Sequence, residues 1–260
     1  MLMHFERHGS GKPLLLVHGL GSSLRTWDPI MPALTAERDV IAVDLPGFGQ
    51  TAPLVGPANI GTLTDALGQF IETEGFQGID LVGSSMGARM VLELSRRGHP
   101  GTAIALDPGG FWTGGQRLVF GVSITASVAL VRAIQPALPF LTRSAAGRTA
   151  LLAQFSAHPW KLDPELVLTE LQGYSASPSL DEARRSLIEG PVQQGAPSGS
   201  LPGRVVIGWG RQDRVTLPSQ AATAQKRFPD ASLHWFDASG HFPHWDQPAQ
   251  TARLILDSTS

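Results

Sequence analysis

Six short, nearly unbroken apolar runs recur along the chain, at Leu14–Val17, Val40–Val43, Ile79–Val82, Ala103–Leu106, Val205–Trp209 and Leu233–Phe236. Each gives way within two residues to glycine or an acidic residue, as strands do where they emerge at the edge of a sheet. Strands that are apolar on both faces suit a mostly parallel sheet covered by helices on either side. The weak alternation of Met1–Arg7 adds a candidate antiparallel edge strand. Between the runs lie helix signals. Thr62 is placed to cap a helix that carries Asp65 in its first turn, buries Leu63, Leu67, Phe70 and Ile71 on one face, and stops at Gly75. After Ser85, the residues Met86, Met90 and Leu94 repeat at helical spacing, and Arg96, Arg97, Gly98 and Pro100 end the segment. Pro218 and Pro248 stand where first turns tolerate proline.

From about Phe111 to Gly203 the alternation fails, and successive helices follow one another with no strand between them. Asp163-Pro164-Glu165 opens one helix, and Ser179 with Glu182 has the spacing of a capping box for another. The chain therefore divides into an α/β core, residues 1–110 and 204–260, and a helical cap inserted at 111–203. The cap's last stretch, Pro191–Gly203, is rich in Gly, Pro, Ser and Gln, a composition that predicts a flexible return to the core.

Composition narrows the function. The 260 residues, 42% hydrophobic and 16% charged, suffice for a sizeable core. Twenty Lys and Arg against 22 Asp and Glu leave a net charge of -2. The cations are scattered, without the basic footprint that nucleic acid requires, so a neutral or apolar small molecule is the expected partner. Without cysteine the chain has no disulfide, thiol nucleophile or thiolate metal site. His4, Glu6, Arg7 and His8 interrupt Met1–Gly11 where a signal peptide needs an apolar run, which predicts a cytoplasmic protein. The apolar stretch Leu118–Val131 falls short of the roughly 18–20 residues of a bilayer-spanning helix. It contains Ser123, Thr125 and Ser127, and predicts a buried or half-buried helix rather than stable membrane insertion.

Gly83-Ser84-Ser85-Met86-Gly87 is a Gly-x-Ser-x-Gly pattern between a predicted strand and a predicted helix, the context in which such a serine sits on a tight, strained turn with its hydroxyl exposed. A serine hydroxyl needs a base, and the base needs a group that fixes its tautomer. His241 and Asp213 each follow a predicted strand, giving the order Ser, Asp, His. Asp107, also at a strand end, is a rival acid, and Ser84 a weaker rival nucleophile. His18 and Asp44 read as loop anchors. His244 lies three residues past His241 but has no third ligand at metal spacing, so neither metal nor cofactor is expected.

With these residues in place, the chain resembles the α/β-hydrolase superfamily over residues 12 to 256. Leu15-Leu16-Val17-His18-Gly19-Leu20-Gly21 resembles its oxyanion loop, Asp44-Leu45-Pro46-Gly47-Phe48-Gly49-Gln50-Thr51 the next strand-to-loop signature, and Gly240-His241-Phe242-Pro243-His244-Trp245-Asp246-Gln247-Pro248 the histidine loop. Ala88 departs from the second glycine of many members, and Ser84 from their frequent His, Asn or Trp. The resemblance implies backbone donors at Leu20 and Met86 for a tetrahedral oxyanion, each worth roughly 3–4 kcal/mol in the transition state. It also implies a serine esterase with a helical cap, acting on esters, thioesters or lactones through an acyl-enzyme. Carbon–carbon cleavage of a vinylogous diketone is the alternative reaction, and a noncatalytic ligand receptor of the same fold the alternative class. Among the cap aromatics, Trp112, Phe155 and Trp160 are the candidates for the pocket wall, with Phe111, Phe120 and Phe140 beside them. Arg117, Arg132, Arg143 and Arg148 are candidates for holding a substrate carboxylate.

Overall fold

The computed structural model describes residues 2–260. Seven strands form one sheet: β1 (Phe5–Gly9), β2 (Pro13–Val17), β3 (Asp39–Val43), β4 (Asp80–Ser84), β5 (Ala103–Leu106), β6 (Val205–Gly210) and β7 (Ser232–Phe236), in the spatial order β1-β3-β2-β4-β5-β6-β7. Only β1 runs antiparallel, pairing Phe5 with Val43 and Gly9 with Asp39. The expected edge strand thus exists but is shifted toward Gly9; Met1, at the start of the predicted range, lies outside the described residues. Each of the other six runs became a strand within one or two residues of its predicted limits.

The apolar runs are apolar on both sides because the sheet is covered on both sides. Leu15, Val17, Ile41, Val43 and Leu81 face one half of the core, while Leu14, Leu16, Val40, Ala42 and Val82 face the other. The helices are α1 (Met31–Thr35), α2 (Ile60–Thr73), α3 (Met86–Arg96), α4 (Gly114–Ala133), α5 (Leu138–Leu141), α6 (Ala145–Leu152), α7 (Pro164–Ala176), α8 (Leu180–Glu189), α9 (Ala221–Arg227), α10 (Pro243–Asp246) and α11 (Pro248–Thr259). Residues of α2, α3 and α9 join the first half of the core; those of α1 and α11 join the second, around the fully buried Trp27.

Two helix starts differ from expectation. Asn59, not Thr62, caps α2: its side chain accepts the Thr62 N–H while the Thr62 hydroxyl accepts the Asn59 N–H, a reciprocal pair that begins the helix earlier. Ser179 precedes α8 as predicted but makes no side-chain cap, because its backbone is itself helical (φ -85, ψ -2) and not extended, and Glu182 instead reaches out of the helix to the Ala58 N–H (2.9 Å) and ties it to the loop before α2. Asp163 caps α7 as expected, accepting from Glu165 and Leu166.

Between β5 and β6 the chain is helical, α4 to α8, with no strand. α4, at 20 residues, is longer than its apolar run and matches a membrane span in length and composition alone. It is half-buried: Phe120, Ile124, Val128 and Val131 face inward at helical spacing, while Leu118, Val119, Val122 and Leu130 are exposed. The return segment 191–203 forms no helix or strand, yet it is anchored. Gln193 donates to the Gly110 carbonyl (3.0 Å), Ala196 to that of Arg227 (2.9 Å), and the Arg227 side chain to the Gln193 carbonyl (2.7 Å). Backbone pairing holds in place what composition predicts to be loose.

Register sets the site. In the parallel sheet Val17 pairs with Gly83, Ser84 with Leu106, Leu106 with Gly208, and Gly210 with Phe236. The carboxyl ends of β2, β4, β5, β6 and β7 therefore share one edge, and the loops leaving that edge carry Gly19, Ser85, Asp107, Asp213 and His241. In open α/β sheets this is the edge where ligands bind.

Candidate active site

Ser85 occupies the turn between β4 and α3 at φ 55, ψ -108, one of two non-glycine residues with positive φ among the described residues. Such a conformation persists only where its surroundings over-determine it. Here a Cβ at Gly83 would lie 2.3 Å from the Gly87 carbonyl oxygen, and a Cβ at Gly87 2.3 Å from that of Val17. Both glycines of the motif are thus sterically required, and the turn they allow places Ser85 at the head of α3. The Ser84 hydroxyl is buried without a hydrogen-bond partner, so no base is at hand to activate it.

The Ser85 Oγ lies 2.8 Å from His241 Nε2, and His241 Nδ1 lies 2.9 Å from Asp213 Oδ2. A carboxylate can only accept, so the ring proton sits on Nδ1 and Nε2 is left to accept from the serine. Asp213 is held from both sides. Its Oδ1 accepts the N–H groups of Val215 (2.7 Å) and Thr216 (3.1 Å), and its Oδ2 accepts the Thr216 hydroxyl (2.6 Å). The His241 backbone N–H donates to the Phe155 carbonyl (2.7 Å), so a cap residue grips the histidine loop. Sequence reasoning missed Thr216; a hydroxyl three residues past the acid is its only signal.

Asp107, the rival acid, is fully buried behind this array at φ 47. Its Oδ1 accepts the Gly210 N–H (2.8 Å) and its Oδ2 has no partner. Burial first, then the Asp213 carboxyl, push Asp107 well above the usual carboxylate range, and the His241 ring bonds Asp213 and Ser85 instead. Atoms of Asp107, Asp213 and His241 that could ligate a metal lie within 4.8 Å of one another. Both nitrogens of His241 are already engaged, by Asp213 and Ser85, and the arrangement reads as a proton relay. His244 is fully buried against Trp27 (4.6 Å), with Nε2 3.1 Å from the Thr26 hydroxyl. Burial, then His241, push it down to about 3, so it is neutral.

The loop after β2 faces the serine. A Cβ at Gly19 would come within 3.8 Å of Ser85 Oγ, and His18 fixes this loop by bonding the Gly19 carbonyl through Nδ1 (2.7 Å) and the Leu45 N–H through Nε2 (3.0 Å). Asp44 anchors the neighbouring loop by accepting from Leu24 (2.8 Å) and Gln50 (2.9 Å). Leu20 flanks Gly19 and lines the same cavity as Ser85, and Met86 opens α3 directly after Ser85.

Ser85 and His241 open into a narrow cavity roofed by the cap, lined by Phe120, Ile124, Leu152, Phe155, Leu171 and Leu187 and, from the core, by Leu20, Val215, Phe242 and Trp245. Of the three cap residues proposed for its wall, Phe155 alone lines it. Trp112 stands behind, buried and stacked on Phe120 at 4.7 Å, because β5 runs straight into the core packing before α4 begins. Trp160 is 46% exposed beside His158, on the turn after α6 that leads away from the cavity. Phe111 packs on Trp209 and Phe228 in the core, and Phe140 is exposed. Three of the arginines are committed elsewhere, Arg117 to the carbonyls of Ile188 and Gly190, Arg132 to Asp181, and Arg148 to those of Thr142, Arg143 and Trp160, and Arg143 is exposed outside the cavity. No lysine or arginine lines the cavity among the described residues. Four polar lining residues had escaped the sequence reading, Ser22 and Thr26 on the loop after β2 and Glu170 and Tyr174 on α7. Glu170 and Tyr174 sit four residues apart, where the sequence offers only an ordinary amphipathic helix.

Residues 14–254 match the model of the alpha/beta hydrolase family, and the chain belongs to that family. It is 30% identical, over 98% of its length, to the dihydrolipoyllysine-residue acetyltransferase component of the acetoin cleaving system of Pseudomonas putida, of whose length it spans 66%. It is 25% identical to 2-hydroxy-6-oxononadienedioate/2-hydroxy-6-oxononatrienedioate hydrolase 2 of Pseudomonas putida, covering 98% of this chain and 90% of that one. Among solved structures, a thermophilic esterase from Thermogutta terrifontis superposes with a TM-score of 0.74 at 21% identity, over 98% of this chain and 92% of the esterase. That likeness bears on the fold.

Proposed function

We propose that the protein hydrolyses carboxylic esters, with thioesters and lactones as chemical equivalents, through an acyl-enzyme on Ser85. The observation that carries this reading is the continuous line of hydrogen bonds from Ser85 Oγ to His241 Nε2 (2.8 Å) and from Nδ1 to Asp213 (2.9 Å), opening into an apolar cavity. In this reading His241 takes the serine proton as Oγ attacks the carbonyl, Asp213 offsets the charge that develops on the ring, and His241 returns the proton to the leaving alcohol. The backbone N–H groups of Leu20 and Met86 receive the oxyanion. Water then repeats the sequence on the acyl-enzyme. The residues 111–203 act as the cap that selects the acyl chain, with Phe155 as its contact.

A dioate substrate of the kind named for the Pseudomonas putida hydrolase is a poorer match, because a buried carboxylate needs a paired cation and the cavity wall offers none among the described residues. The test is a substrate panel of aryl esters, thioesters, lactones and vinylogous diketones with the purified protein and Ser85→Ala. Many turnovers on neutral esters, abolished in the variant, are expected. Turnover confined to the diketones would select carbon–carbon cleavage, and stoichiometric binding without turnover would make the protein a receptor.

A further inference from the structure

Glu170 is a carboxyl group in the wall of the reaction cavity that the triad does not use. It is 6% exposed, and its Oε1 is buried without a hydrogen-bond partner. Leaving a buried polar atom unsatisfied costs roughly 1–3 kcal/mol, and such atoms in native structures ask for a ligand or a role. Ser22, Thr26 and Tyr174 line the cavity with it, and the rest of the wall is mostly apolar.

The charges around Glu170 are all of one sign. Asp28 and Asp44 lie on the core side. Tyr174 is one turn along α7, where burial first and then Glu170 raise its phenol, so it is neutral. His241 is across the cavity, and His244 behind it is neutral. No lysine or arginine lines the cavity among the described residues, and Arg132 spends its guanidinium on the Tyr174 carbonyl and Asp181. Burial above all, partly offset by a hydrogen bond with Ser22 and reinforced by Asp28 and Asp44, lifts Glu170 to about 8. At neutral pH it is therefore an acid with its proton on, able to donate as well as accept.

We propose that Glu170 reads the substrate by donating a hydrogen bond to a second, uncharged oxygen, a keto, ether or amide oxygen carried at a distance from the scissile carbonyl, so that the preferred substrates are oxo- or alkoxy-substituted esters. This rests on the acyl-transfer reading of the site and names the substrate class within it. A substrate carboxylate would meet a wall without a cation, and an alkyl chain would leave Oε1 unsatisfied.

The test compares aryl heptanoate with the 4-, 5- and 6-oxoheptanoates, and the matching oxo series in the alcohol, as ratios of kcat/KM that cancel any general loss of activity. One neutral hydrogen bond is worth up to about tenfold, and the wild-type protein is expected to prefer one oxo position by that factor at pH 6.5. The donor is present below about 8 and lost above it, so the preference should vanish by pH 9.5. Glu170→Gln retains an N–H donor that does not titrate and should keep the preference at both pH values. Glu170→Leu should abolish it. The proposal fails if no oxo position is preferred, if the preference survives Glu170→Leu or is independent of pH in the wild type, or if amine-bearing esters are favoured instead. Ser85-dependent turnover of plain heptanoate without any oxo preference overturns this inference alone; absence of Ser85-dependent turnover overturns the acyl-transfer reading with it.

Discussion

Asp213→Asn and Asp107→Asn each replace a buried carboxyl with an amide of the same shape, and the two are expected to differ by orders of magnitude. In Asp213, Oδ1 accepts two backbone N–H groups, so the amide must keep its oxygen there and turn its NH2 toward His241 Nδ1 and the Thr216 hydroxyl. A donor facing Nδ1 drives the ring proton to Nε2, which then cannot accept from Ser85. Recovering the working tautomer leaves two buried donors opposed, at roughly 1–3 kcal/mol, and forfeits a charge-assisted bond worth roughly 1.5–3 kcal/mol when the ring becomes cationic. Together these raise the barrier by about 2.5–6 kcal/mol, a loss in kcat of about a hundredfold to ten-thousandfold, centred near a thousandfold. In Asp107, Oδ1 accepts from Gly210 and Oδ2 has no hydrogen-bond partner, so an asparagine keeps the acceptor and breaks no bond to the imidazole. Asparagine also tolerates the positive φ of that position. Its kcat should fall by less than about fivefold, within the net worth of one neutral hydrogen bond. Steady-state kinetics with an aryl ester from pH 6 to 9, beside thermal melts of both variants, make the comparison. A large loss with Asp107→Asn and a small one with Asp213→Asn would place the acid after β5 and refute the assignment.

Glu170→Gln should also report on stability. The folded protein holds the Glu170 proton up to about 8, whereas an unfolded chain releases it near 4.3. Between these values wild-type stability falls by up to about 1.4 kcal/mol per pH unit from this group. The Tm of the variant should therefore gain on the wild type from pH 5 to 8 and then hold level; parallel curves would mean that Glu170 is not buried as an acid. Phe155→Ala should widen the acyl-chain preference, since Phe155 lines the cavity, whereas Trp112→Ala should cost roughly 3–5 kcal/mol of stability and leave the chain-length profile in place. A shifted profile for Trp112→Ala with an unchanged Tm would put that side chain in the pocket after all.

The strands and the elbow were legible because backbone geometry dictates them locally. Apolar runs that lack alternation belong to a sheet covered on both faces, and the glycines flanking Ser85 admit no Cβ. His241 and Asp213 were legible as chemistry at strand ends, but the choice over Asp107 needed the register that sets β5 beside β6 and shows which carboxyl faces the imidazole. The cavity wall was the least legible. Trp112, Phe155 and Trp160 look alike in sequence, and only the directions in which the cap helices leave the core distinguish a lining ring from one packed behind it and one at the surface. Glu170 escaped notice for a similar reason: a glutamate on an amphipathic helix is ordinarily solvated, and its burial comes from α7 lying over the turn Leu24–Trp27.

The central claim is that the Ser85 Oγ is the atom that becomes acylated. Reaction of the full chain with an aryl fluorophosphonate, followed by peptide mapping by mass spectrometry, tests it directly. The account predicts one adduct per chain, on Ser85 and not on Ser84, and none in Ser85→Ala. An adduct on another residue, or sustained ester hydrolysis by a chain whose Ser85 stays unlabelled, would contradict it.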